Sequence, residues 1–255
     1  MLIENIDFFI TFVLSHFRYY RIMNTKASIF IITITAMLFA SAEITAQNTL
    51  TSDEGVVING IKWATRNVDA PGTFTANPED FGMFYQWNSN VGWSATDPLT
   101  PSDGVSTWNP EWNKRNPDGS INKSQQWHTT NNVCPTGWRI PSKQELEKLV
   151  AADSVWTTVN GVNGRLFGSG DNTIFFPAAD CRMPSDGGRP MYIKDGALPR
   201  KGRYWSRTPN IEFDNYSYDL FFYYSYALNF DNTGVLSFIG VDEHSLGYSI
   251  RCVAE

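Results

Sequence analysis

Basic residues are in short supply. Twenty Lys and Arg stand against 26 Asp and Glu, a formal net charge of −6 with a pI near 5.1. Affinity for a phosphate backbone comes mainly from Lys and Arg displacing counterions, so this balance excludes nucleic acid as a partner. Histidine is scarcer still, at three in the whole chain. Neither His128 nor His244 has a second His, Cys or carboxylate at metal-ligand spacing. No metal or other cofactor is expected. The chain has no G-x-S-x-G nucleophile elbow, and the glycines of 160–170 do not follow the G-x-G-x-x-G dinucleotide spacing. An enzyme is therefore not expected. Long amphipathic helical patterns are also missing. Aromatic residues are plentiful instead: 9 Trp, 11 Tyr and 17 Phe, with 19 Gly and 13 Pro. That mixture favours short strands and many turns over a helix bundle.

The amino-terminal region has no convincing bilayer span. Residues 1–22 are apolar in patches, but Glu4, Asp7, His16, Arg18 and Arg21 interrupt them. They read as a leader extension or as untranslated sequence. Met23 opens a better unit. Lys26 supplies positive charge, Ile29 to Phe39 is uncharged and mainly apolar, and Ala40-Ser41-Ala42 is a small-residue cleavage pattern. Residues 23–47 are read as a secretory signal peptide, the alternative being an uncleaved anchor helix. Cleavage near Gln47 leaves 208 of the 255 residues, enough for one large domain after a linker at 48–54. The expected destination is extracellular or the outer cell surface, with the periplasm as a further possibility.

All three cysteines, Cys134, Cys181 and Cys252, lie beyond the leader. In an oxidising compartment two can pair and one is left over. Cys134 and Cys252 are the candidate pair, because a bridge there ties the carboxy-terminal strand to mid-chain. Closing a loop of roughly a hundred residues contributes about 4 to 5 kcal/mol in the chain-entropy model. Three buried free thiols are the alternative.

Gly55 to Val68 reads as two short strands around an Asn59-Gly60 turn, where the domain begins. From Ala70 to Asn132, prolines, Asn, Ser, Thr and Gly recur, and Trp87, Trp93, Trp108, Trp112 and Trp127 fall among them. This predicts long ordered loops whose rings mostly pack inward. One helix is predicted after Pro141, where Ser142 and Glu145 form a capping box, and it should end near Asp153. Residues 160–170 read as a turn or hairpin. I-F-F-P-A-A at 174–179 reads as a buried strand, and Tyr204-Trp205-Ser206 begins a last β-rich section.

That section holds a near-repeat of period eight, N-Y-S-Y-D-L-F-F followed by Y-Y-S-Y-A-L-N-F at 215–230. Every even position from Tyr216 to Phe230 is apolar or aromatic, which predicts a strand with that face in the core and a break near Phe222-Tyr223. The odd face then carries Asp219, Phe221, Tyr223, Ser225, Asn229 and Asp231, with Asp242 and His244 expected at its border. Rigid Tyr and Phe among small polar side chains is the composition of a recognition surface. The competing reading is that these rings cover a second core.

Several motifs stand in one order. They are I-N-G-I-K-W-A-T-R-N-V from Ile58, F-G-M-F-Y-Q-W from Phe81, C-P-T-G-W-R-I-P-S from Cys134, F-P-A-A from Phe176, Y-W-S from Tyr204 and G-Y-S-I-R-C-V from Gly247. Together they resemble the Fibrobacter succinogenes major paralogous domain over roughly 55–255. Cys181 stands where that family usually has an aromatic, and Arg207 where it tends to have Ser. The resemblance implies an α+β, C-type-lectin-like domain with small antiparallel sheets, one or two helices and long ordered loops. It also places Cys134 and Cys252 in family motifs. In some relatives the segment before the last strand is a diversified ligand surface. Residues 215–250 contain no Trp, Gln, Met, Lys or Arg, a bias that fits such an origin and also fits a plain Tyr-rich strand.

Three functions follow from these readings. The first is a noncatalytic exported binding module, adhesin-like, for an extracellular protein or glycan. The second is a structural subunit of a surface or pilus assembly. The third, an oxidase of the formylglycine-generating type, needs two sulfurs close together in a groove, whereas the three cysteines lie far apart in sequence. Calcium-dependent sugar binding would want more of an E-P-N or Q-P-D pattern than Trp108-Asn109-Pro110 retains.

Overall fold

The computed structural model describes residues 50–112, 127–191, 201–210, 224–235 and 240–255. In chain order these contain strands β1 (Val56–Ile58), β2 (Ile61–Asn67), β3 (Phe84–Gln86), β4 (Gly92–Trp93) and β5 (Trp138–Arg139), then the complete helix α1 (Lys143–Val150). There follow β6 (Ser154–Val159), β7 (Val162–Ser169), β8 (Asn172–Pro177), β9 (Gly202–Pro209), β10 (Tyr224–Phe230), β11 (Gly240–Glu243), β12 (Gly247–Tyr248) and β13 (Arg251–Ala254). The strands form four small antiparallel sheets, ordered β1-β2-β13-β5, β11-β10-β9, β12-β3-β4 and β6-β7-β8. The architecture is α+β and mostly β.

Local chemistry accounts for the hairpins and the helix. Asn59 and Gly60 both have positive φ, 48° and 80°, as the two-residue turn between β1 and β2 requires. Asn160 and Gly161 repeat this between β6 and β7. At α1 the Ser142 hydroxyl accepts from Glu145 N, and Ser142 N donates back to the Glu145 carboxylate at 2.8 Å, completing the capping box. Arg139 clamps the same carboxylate through two bonds of 2.8 and 2.7 Å. Leu146 and Leu149, on one face of α1, are fully buried.

The carboxy-terminal strand β13 lies between β2 and β5 and is bridged by Cys252 to Cys134, with Cα atoms 6.1 Å apart. Cys181 is free and buried. Residues 50–54, expected as part of a linker, are tied to the domain. The Asp53 carboxylate accepts from Gly55 N at 2.8 Å and from the Thr65 hydroxyl at 2.9 Å, and it pairs with Arg66 at 3.2 Å.

Two apolar clusters fill the interior. One gathers Trp87, Trp127, Trp138, Trp205, Ala227, Tyr248 and the disulfide; the other gathers Trp63, Phe167, Phe176, Tyr204, Leu228, Phe230 and Val253. Neighbours in sequence point to different clusters: Tyr204 and Trp205 on β9, Ala227 and Leu228 on β10, Cys252 and Val253 on β13. These strands therefore divide two cores, and at these positions both of their faces are buried. Buried arginines join the layers through carbonyls. Arg251 reaches Ala64 O, Thr65 O and Phe175 O, and Arg182 holds Ser94 O, Thr96 O and the Asp97 carboxylate. Of the loop tryptophans, Trp87, Trp93 and Trp127 are buried and Trp108 and Trp112 half-buried.

Candidate functional site

Strand β10 is held on both edges. Against β11 the register is regular, Tyr224 opposite Glu243 and Ser225 opposite Asp242. Against β9 it is irregular between Ser225 and Ala227, where β9 runs from Pro209 to Trp205. Even residues Leu228 and Phe230 are fully buried, as their periodicity predicts, whereas Tyr224 and Tyr226, expected in the core on the same ground, are half-buried. Gly202, opposite Phe230, explains how that ring fits: a Cβ on Gly202 would lie 1.9 Å from Phe230 Cζ.

The odd face departs from expectation. Ser225 and Ala227 are fully buried and Asn229 is half-buried. His244, expected at an exposed border, is 4% accessible. The second core explains both corrections. Alternation between large apolar and small polar residues usually marks a core face and a wet face, but here Trp205, Tyr248 and Trp87 cover the small residues. Asp219, Phe221 and Tyr223 lie outside the described residues, as do the break expected near Phe222-Tyr223 and the whole leader through Gln47.

Among the described residues, the expected site residues meet in two pairs. Ser225 Oγ lies 2.6 Å from His244 Nε2. The imidazole stacks on Trp87 with centroids 4.2 Å apart, and the Trp87 amide donates to the His244 carbonyl at 3.0 Å. Burial holds the His244 pKa down to about 3, against a raising contribution from the Tyr224 carbonyl. The ring is neutral at pH 7, so with one nitrogen donating to that carbonyl, Nε2 accepts the Ser225 proton. No substrate reaches an Oγ that has no accessible surface. The pair fastens β10 to the segment after β11.

The second pair runs along the same face, from Asp242, which stands opposite Ser225, to Asn229. Asn229 Nδ2 donates to the Asp242 carboxylate at 2.8 Å, and both residues are half-buried. Arg203 stands opposite Asn229 on β9 and donates to the Tyr248 hydroxyl at 2.8 Å. Cys181 completes this neighbourhood, and burial pushes its thiol up to about 11. Asp231 belongs to neither pair. Its carboxylate accepts from Thr233 N at 2.8 Å and shapes the turn after β10.

Sequence reasoning missed Arg203, Tyr248 and Trp87 as members of this region. Each lies in or beside a motif it had singled out, Y-W-S, G-Y-S-I-R-C-V and F-Y-Q-W. Among the described residues, no group of three or more His, Cys, Asp and Glu could hold a metal ion, and no helix is long and apolar enough to cross a membrane. A polar depression of about 350 Å³ at the end of α1, lined by Asn59, Asp153, Ser169 and Asn172 among others, includes none of the expected site residues. No family model matches the chain, and neither a curated protein nor a solved structure matches it.

Proposed function

We propose that this chain is a noncatalytic exported binding module of C-type-lectin-like architecture, adhesin-like, that takes an extracellular protein or glycan. The observation that carries the reading is one hydrogen bond: Asn210 N donates to the Tyr224 carbonyl at 3.0 Å. It joins the two residues that flank positions 211–223, among which the sequence places Asp219, Phe221 and Tyr223. Both flanks of that segment are strands anchored in the two cores. Recognition residues presented from a rigid frame lose less freedom on binding. Asn229, Asp242 and Arg203 supply a half-buried polar rim on the same sheet. Two further features support the architecture: β13 is paired with the first hairpin, and a disulfide ties it to Cys134. The export reading rests on the leader-like unit from Met23.

The test is binding of the purified protein to an array of glycans and a panel of extracellular proteins. Phe221→Ala, Tyr223→Ala and Asp242→Ala should each weaken a detected interaction by about 1 to 3 kcal/mol. An interaction that all three variants leave intact would place the site elsewhere.

A further inference from the structure

Among the described residues, the β6 edge of the β6-β7-β8 sheet is bare. β6 pairs with β7 on one side only. Because Val159 and Val162 flank a two-residue turn, they form a hydrogen-bonded pair, and bonding then alternates along the hairpin. Thr157 and Val155 point their backbone groups toward β7. Ser154, Trp156 and Thr158 point theirs outward. Outside the β6–β7 hairpin, the backbone groups of Trp156 and Thr158 have no partner among the described residues, and Ser154 O takes there only a long contact of 3.4 Å from Arg165.

Proteins ordinarily block such an edge with charge, proline, a bulge or a covering segment. β6 reads Ser-Val-Trp-Thr-Thr-Val, without a charge, proline or glycine, and four of its six residues are β-branched. Val155 is 57% exposed. Other sheet edges among the described residues are short or occupied. β1 has three residues, and β4 and β5 two each. β11 carries Asp242 and Glu243. On β9, the Trp205 amide donates to Ser249 O and the Arg207 amide to Pro141 O. On β8, Phe175 O accepts from Arg251 and Pro177 O from Tyr204.

We infer that β6 is a docking edge for β6 of a second copy of this chain, antiparallel about a two-fold axis through Trp156. That centring is set by the outward residues. Trp156 faces Trp156 of the other copy and Ser154 faces Thr158, so every outward N–H and C=O finds a partner. Val155 packs beside Thr157 of the other copy, and the three-stranded sheet becomes six-stranded. The charge pattern favours a second copy in particular. Although each chain carries a net charge of −6, the seam holds none. The flanking Asp153 side chains fall at opposite ends, roughly 20 Å apart at the rise of an antiparallel strand and well beyond the Debye length in physiological salt. This interface is independent of the proposed ligand surface on β9–β11.

The experiment is sedimentation equilibrium of the full chain from micromolar to about half-millimolar concentration, beside two variants. Thr158→Pro removes an N–H that is unbonded in the single chain but bonded in the dimer. Val155→Lys puts a charge on the seam without touching the β7 ladder. The wild type should dimerise reversibly, and each variant that keeps the wild-type melting temperature should dimerise about tenfold or more weakly. Should Thr158→Pro fail to fold, Val155→Lys decides. A wild type that stays monomeric throughout, or a dimer that Val155→Lys leaves intact, overturns the proposal.

Discussion

Ser225 Oγ and His244 Nε2 meet at 2.6 Å inside the protein, joining the strand β10 to the segment that follows β11. The ring is sealed between that hydroxyl and the face of Trp87. Its neutrality is therefore part of the fold, which makes it sensitive to acid.

Burial holds the folded-state pKa of His244 at about 3, below the ordinary 6.5. Between those values the unfolded chain takes up a proton that the folded one refuses, so stability falls as pH drops through this window and is fully present above it. From pH 6.5 to 4.5 the loss from this residue should be about 2 to 3 kcal/mol. Glu145 adds to it only below its ordinary 4.5: burial would raise its pKa, but Arg139 and Ser142 outweigh burial and hold it at about 2. Urea unfolding at pH 7 and pH 4.5 should show the His244 loss in the wild type and a smaller one in His244→Gln. Equal losses would place the acid sensitivity elsewhere.

The fit of Phe230 over Gly202 should be intolerant of a single methyl group. Gly202→Ala drives a Cβ into the ring and should destabilise by about 1 to 3 kcal/mol. Leu228→Ala and Phe230→Ala should destabilise by about 2 to 5 kcal/mol through lost burial and the cavity left behind. Asn229→Ala, on the half-buried rim, should fall well below both in thermal melts. The reverse ordering would mean that the rim, not the even face, supports the fold.

Cys134 and Cys252 close a loop across a sequence separation of 118. Replacing Cys252 by Ser should cost about 2 to 5 kcal/mol. Non-reducing peptide maps should show this bridge alone, and native Cys181 should resist alkylating reagents until the protein is unfolded, since it is buried with its thiol pKa raised to about 11. A bridge containing Cys181, or fast labelling of the native protein, would contradict this.

What the sequence made legible was local. Asn59-Gly60 carries its own turn geometry, Ser142 and Glu145 their own cap, and Leu228 and Phe230 their own alternation. The second core was hidden because it is assembled from distant segments: Trp87 reaches His244 and Trp205 reaches Tyr248 only in the folded chain. Ser225 looks solvent-facing because it is small and polar. It is buried because the partner that satisfies its hydroxyl is supplied from beyond β11. Likewise Arg203 gave no sign of its place beside Asn229, since strand pairing across the intervening segment sets that register.

The central proposal is that Phe221 and Tyr223 meet the ligand. Replacing both by Ala, and measuring the melting temperature alongside binding on the same glycan and protein panels, tests it directly. The account predicts a melting temperature within a few degrees of wild type, at roughly 2–4 °C per kcal/mol for a domain of this size, together with loss of the interaction. A double variant that binds as before would contradict it.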